Sequence, residues 1–199
     1  MLGVQMLVTT ACNLRCPDCC QQIPRKAPGE HDTWANFERA ARYLGGLPLT
    51  VCGGEATLHP EFERIAREFR ALFAAPYMEI STNGYGVIAH GAVMGNFDKV
   101  RITNYSDDAT RGAIRWMQTQ LPGRLQLDPP EHFPLNHRGG GRKCFRTAWP
   151  IHFAGRLWPC CVGTGFADAA SIGLCDDWRG RVAAVPLPCD RCVFSERGL

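Results

Sequence analysis

The first two-thirds of the chain alternates short β-rich runs with amphipathic helical runs, which restricts the fold to parallel β/α units. Val4 to Thr9 reads as a first strand. Trp34, Phe37, Ala41 and Leu44 then recur at helical spacing, after Asp32 or Thr33 as N-cap and before Gly45-Gly46 as terminator. Leu49 to Cys52 is a second strand, and Phe62, Ile65, Phe69 and Leu72 form the stripe of the next helix, with Pro60 suited to its first turn. Tyr77 to Thr82, Val100 to Thr103 and Leu125 to Leu127 supply three more strands, with a helix from Asp108 to about Gln118 between the last two. Right-handed crossovers would curl these units into an open barrel, with the loop after each strand on one C-terminal rim.

The expected architecture is α/β, a partial (β/α) barrel of about five to six parallel β/α units plus a small cysteine-rich C-terminal appendix. Its bounds are a barrel over 1–130, a linker over 131–143 and the appendix over 144–199. A chain of 199 residues is too short for a complete eight-fold barrel of roughly 250. Within the appendix, Ile151 to Phe153 and Arg156 to Trp158 form a hairpin turning at Ala154-Gly155, and Trp149 and Trp158 supply a small core beside it. Beyond residue 143 the β/α rhythm is expected to end.

With 21% charged residues and a formal charge of +3, the chain has the balance of an ordinary globular protein and no basic arm for nucleic acid. Met1 to Thr10 has no basic n-region and runs straight into a cysteine motif, so it does not read as a signal peptide. No segment approaches the roughly 20 apolar residues of a membrane span. Eleven cysteines without an export signal read as metal ligands in a reducing cytoplasm.

Cys12, Cys16 and Cys19 follow the first strand with C-x3-C-x2-C spacing. Three thiolates on one tight loop can hold three irons of a [4Fe-4S] cubane, which leaves one iron open to a ligand. Zinc binding or simple burial are the alternatives for such residues. Gly53-Gly54-Glu55 closes the second strand. Its glycines admit close approach of a ligand, and its carboxylate offers a charge-assisted acceptor.

Together the C-x3-C-x2-C loop, the Gly53-Gly54-Glu55 element one β/α unit later and the Ser81-Thr82-Asn83-Gly84 run resemble the radical S-adenosylmethionine (radical SAM) family. The resemblance implies that Cys12, Cys16 and Cys19 hold a [4Fe-4S] cluster whose open iron is chelated by SAM. It also implies that Gly53, Gly54, Glu55, Ser81, Asn83, Asn104 and Ser106 contact SAM. One departure is Asp18, which stands where many members carry an aromatic residue beside the adenine.

A second set, Cys144, Cys160, Cys189 and Cys192, spaced C-x10-G-x4-C and then C-x2-C, resembles the family's twitch domain, the shortened SPASM form. That implies one auxiliary iron-sulfur cluster, and a four-thiolate zinc site remains the alternative for the same spacing. Cys161 competes with Cys160 as ligand. Cys20, Cys52 and Cys175 read as packing residues, with Cys52 able to face the barrel. His31, His59, His90, His137 and His152 read as surface, cap or core residues, whereas Glu131-His132, just past the fifth strand, is a candidate proton acceptor near the rim.

The resemblance implies reductive cleavage of SAM to a 5′-deoxyadenosyl radical, hydrogen abstraction from a substrate, and a flavodoxin- or ferredoxin-type electron donor. A tail with one auxiliary cluster is similar to that of the aminocyclitol dehydrogenase of butirosin biosynthesis, which favours oxidation of a small polar metabolite. A peptide substrate is the second expectation. An iron-sulfur electron carrier or a zinc-stapled binding protein is the reading from another class.

Overall fold

Strands form where β-branched and apolar residues alternate with polar ones, and the alternation decides which face each side chain takes. The computed structural model describes residues 3–16, 19, 29–128, 150–159 and 171–185. Cys144, Cys160, Cys161, Cys189, Cys192, Glu131, His132, Cys20, Asp18, His137, Trp149 and the expected 131–143 linker lie outside the described residues.

Strands β1 (Val4–Thr9), β2 (Leu49–Gly53), β3 (Met78–Thr82), β4 (Lys99–Thr103) and β5 (Leu125–Asp128) add to the sheet in chain order. All four successive pairings are parallel. Helices α1 (Trp34–Leu44), α2 (Phe62–Leu72) and α4 (Asp108–Gln120) fill three of the crossovers, and a single turn, α3 (Gly91–Met94), helps bridge β3 to β4. This is the expected α/β sheet, open rather than closed into a barrel.

The hairpin of β6 (Ile151–Phe153) and β7 (Arg156–Trp158) forms where the sequence places it, turning at Ala154 and Gly155, both at positive φ. It extends the main sheet: β6 lies parallel to β1, pairing Gln5 with Ile151 and Met6 with His152. The sheet order is therefore β5-β4-β3-β2-β1-β6-β7-β8, with β7 and β8 (Ile172–Gly173) antiparallel to their neighbours.

Beyond the hairpin, β8 is followed by a further helix that the sequence pattern does not announce, α5 (Trp178–Ala184). Its Trp178 is 1% exposed and donates from Nε1 to the Tyr43 carbonyl at 3.0 Å, which docks α5 on the end of α1. Pro60 lies ahead of α2 rather than in its first turn, because a 3₁₀ turn over Ala56–Leu58 occupies the start of this crossover.

Caps account for two helix starts. Thr33 accepts from the Asn36 amide at α1, and Asp107 accepts from the Thr110 amide at α4. Asp32, the other cap candidate, is buried behind Thr33 and acts as a tie. Its Oδ1 accepts from Thr33 N and Asn36 Nδ2, and its Oδ2 accepts from Ala154 N at 2.9 Å. One carboxylate thus joins the start of α1 to the β6–β7 turn.

One face of the sheet carries the core. Val4, Met6, Val8, Leu49, Val51, Met78, Ile80, Val100 and Ile102 pack with Phe37, Phe62, Phe69, Met117 and Trp178 from the helices. Phe37 and Phe69 meet edge to face with ring centroids 4.8 Å apart. The intervening strand residues face the other way and make an inner wall, and the loops at the C-terminal strand ends form a rim above it.

Candidate functional site

Cys12, Cys16 and Cys19 are half-buried thiols on the loop that leaves β1. A turn bond from Cys19 N to Cys16 O, 3.2 Å long, folds the loop back on itself. Burial pushes the Cys12 thiol above its ordinary pKa, helped by Glu55, Cys16 and Cys19, and the Leu14 amide, 3.4 Å from Cys12 Sγ, partly offsets it. The base of the loop is tied by Thr9 Oγ1, which donates to Glu30 O at 2.9 Å and accepts from Ala11 N at 3.0 Å.

The Gly53-Gly54-Glu55 element packs directly on this loop. Gly54 N donates to Thr9 O and Glu55 N to Ala11 O, each at 2.8 Å. A Cβ on Gly54 would fall 2.3 Å from Ala11 O and 2.8 Å from Cys12 Cβ, so only glycine permits this approach. The two glycines bring the end of β2 against the cysteine loop.

Glu55 is 1% exposed, and its carboxylate is used within the protein. Oε1 accepts from Thr57 N at 3.2 Å and from the hydroxyls of Thr57 and Thr82 at 2.7 Å, and Oε2 accepts from Asn83 N at 2.7 Å. The side chain fastens the end of β2 to the end of β3. Asn83 continues the network: its Nδ2 donates to Asn13 Oδ1 at 2.7 Å and its Oδ1 accepts from Tyr85 N at 3.0 Å. The ends of β1, β2 and β3 are therefore one hydrogen-bonded unit.

The structure thus brings Cys12, Cys16, Cys19, Gly53, Gly54, Glu55 and Asn83 together. Ser81 is half-buried in β3. Asn104 and Ser106 lie on the rim after β4, where Asn104 Oδ1 accepts from Ser106 N at 3.0 Å and holds Ser106 at φ 61°. Between them is Tyr105, whose hydroxyl is 3.3 Å from Cys16 Sγ. Burial, then the contact with Cys16, raises its pKa. Sequence reasoning reached the Asn104–Ser106 segment but gave Tyr105, Asn13, Thr57 and Thr82 no role. The available signal was an aromatic residue at a rim strand end.

Below the rim, the inner wall carries a polar ladder across four strands. Glu79 accepts from Thr50 Oγ1 at 2.9 Å, Tyr77 OH at 3.1 Å and Arg101 at 3.4 Å, and Arg101 also donates to Asp128 at 2.8 Å. Burial and the Glu79 charge push Tyr77 up to about 12. Cys52 is on this face too, by its alternation with Val51. His59 and His152 are core residues, as expected, and Cys175 packs beside α5.

The residues fit an iron-sulfur cubane. The donor set is three soft sulfurs on one loop, and Gly54 lets the end of β2 pack directly against that loop. Among the described residues no group of three His, Cys, Asp or Glu side chains is already gathered around one point, the three thiols of this loop included.

No family model matches the chain. Over 116 residues, 55% of the chain, it is 27% identical to a PqqA peptide cyclase of Streptomyces rochei, and the match spans only 31% of that protein's length. A crystal structure of BtrN in complex with AdoMet and 2-DOIA superposes with a TM-score of 0.67 at 13% identity, covering 92% of this chain and 85% of BtrN. This chain has the BtrN fold. Selenomethionine BtrN in an open conformation gives a TM-score of 0.64 at 12% identity, covering 96% of this chain and 91% of that one. Among the described residues no helix is long and apolar enough to cross a membrane.

Proposed function

We propose that the chain is a radical SAM enzyme. The observation that carries this reading is the rim itself, where a three-cysteine loop, a two-glycine approach and a buried carboxylate are joined by backbone hydrogen bonds. The shared fold with an AdoMet-bound protein supports it.

In this reading Cys12, Cys16 and Cys19 hold three irons of a [4Fe-4S] cluster and SAM chelates the fourth. When bound, the cluster supplies the electron that cleaves SAM to methionine and a 5′-deoxyadenosyl radical, which takes a hydrogen atom from the substrate. The protein supplies position and a dry pocket. Gly53 and Gly54 offer backbone carbonyls to the SAM ammonium, with Glu55 as the strut that fixes them. Ser81, Asn83, Asn104 and Ser106 line the path of the SAM ribose and methionyl groups.

The tail cysteines, Cys144, Cys160, Cys189 and Cys192, hold an auxiliary iron-sulfur cluster in a twitch-like unit over 144–199, joined to the barrel through 131–143. A cluster held by these residues would supply an acceptor for one electron from the substrate radical, and Glu131 or His132 would take the proton. A flavodoxin or ferredoxin in the cytoplasm supplies the first electron. The polar inner wall of Thr50, Glu79, Arg101 and Asp128 favours a small polar metabolite undergoing dehydrogenation or a related oxidation. A peptide substrate is the second reading, favoured by the likeness to a PqqA peptide cyclase.

Anaerobic reconstitution with iron and sulfide tests the assignment. Roughly eight irons per chain are expected for two cubanes, and about four plus one zinc would replace the auxiliary cluster by a structural metal. The electron paramagnetic resonance signal of the reduced protein should change on adding SAM. A signal indifferent to SAM would contradict an open iron.

A further inference from the structure

Tyr105 leaves β4 with its ring turned toward the cysteine loop, and its hydroxyl is 3.3 Å from Cys16 Sγ. This placement is held from several sides. Asn104 N donates to Asp128 O at 2.8 Å, Tyr105 N donates to Thr103 O at 3.1 Å, and Asn104 Oδ1 caps the turn through Ser106 N. Ser106, a residue with a Cβ, adopts a left-handed φ of 61°, so the turn keeps a conformation that costs energy. The chain accepts that strain next to a phenol that meets a sulfur 89 positions away in sequence.

In a thiol-phenol pair either atom can donate, but a ligating sulfur is a thiolate and only accepts. Once Cys16 binds iron, the proton between the two atoms is the tyrosine's. A hydrogen bond to a cluster sulfur stabilises the more negative, reduced state and raises the reduction potential. Cys12 Sγ has a comparable donor in the Leu14 amide at 3.4 Å, which no side-chain substitution removes. The Tyr105 hydroxyl is a donor that a side-chain substitution does remove.

We propose that Tyr105 is a positioning and tuning residue of the SAM-cleaving centre: its hydroxyl donates to the Cys16 thiolate and raises the potential at which the cluster is reduced. This rests on the reading of Cys12, Cys16 and Cys19 as cluster ligands. A purely structural tyrosine would affect folding and iron content. A tuning tyrosine affects the potential while iron content stays the same.

The test is an anaerobic redox titration, followed by electron paramagnetic resonance, of the reconstituted parent and Tyr105→Phe, which removes the hydroxyl and keeps the ring. To isolate the signal, both carry Cys189→Ala and Cys192→Ala. Tyr105→Phe should keep its iron content and show a lower midpoint, so that clearly less than half of its cluster is reduced at the parent's midpoint potential. An unchanged midpoint at equal iron content would overturn the proposal. Should Tyr105→Phe load poorly, 3-fluorotyrosine at position 105, a more acidic and stronger donor, should move the midpoint upward, and no movement would again overturn it. A parent that assembles no cluster on Cys12, Cys16 and Cys19 would overturn the cluster reading, and with it this one.

Discussion

The two faces of the sheet are built from the same strands by opposite chemistry. On β4, Val100 and Ile102 are fully buried among helix residues, whereas Arg101 between them reaches across the other face to Glu79 and Asp128. On β3, Ile80 belongs to the core and Glu79 to the polar ladder. The apolar face supplies stability, because burial of about 25 cal/mol per Å² accumulates over many side chains. Partly exposed ion pairs on the inner face add little after desolvation and screening. The residues that could specify a substrate are therefore those the fold can most easily replace.

The comparison breaks most visibly if the helix-facing core is not the source of stability. Phe69→Ala, which removes a ring packed on Phe37 and Phe73, should cost about 3–5 kcal/mol in denaturant unfolding. A loss below about 1 kcal/mol would show that α2 is not anchored by this face.

A buried histidine on the covered side sharpens the contrast. His152 is fully buried, and burial lowers its pKa to about 4, with Asp32 at 3.6 Å opposing the shift and Arg39 adding to it. Among the described residues neither ring nitrogen has a hydrogen-bond partner. Because the folded pKa is depressed below the ordinary 6.5, the unfolded chain takes the proton first. This contribution is complete above about pH 6.5 and is lost as pH falls toward 4, by about 2 kcal/mol at pH 5. Thermal unfolding from pH 7.5 to 5 should show that decline in the parent and a flatter one in His152→Leu. Parallel curves would contradict a neutral buried imidazole.

The smallest effect is expected on the inner wall. Arg101→Met should change stability by no more than about 1 kcal/mol, since the side chain is 36% exposed and its pairs are screened. It should nevertheless weaken substrate binding. A cost equal to that of Phe69→Ala would erase the distinction between the faces.

Much of this was legible in sequence because it is local. Strands β1 to β5 follow apolar runs, α1 follows Trp34, Phe37 and Leu44, and the rim positions of Cys12 and Gly53 follow from where strands end. Pairings across long separations left no local mark. The pairing of β6 with β1 joins residues nearly 150 positions apart, and neither segment carries a local sign of it. The bonds that Glu55 accepts from Thr57, Thr82 and Asn83 carry no sequence sign, because they form only once β2 and β3 align. Tyr105 carried no motif. Helix α5 was missed because its short run after Cys175 has only Trp178 and Val182 as buried anchors.

The central claim is that the β1–β2 rim cleaves SAM, and product formation tests it most directly. The anaerobically reconstituted protein, reduced with dithionite and given SAM, should release 5′-deoxyadenosine, and Cys16→Ala should release none. A fully loaded four-iron cluster on Cys12, Cys16 and Cys19 that yields no 5′-deoxyadenosine, or equal product from Cys16→Ala and the parent, would contradict the account.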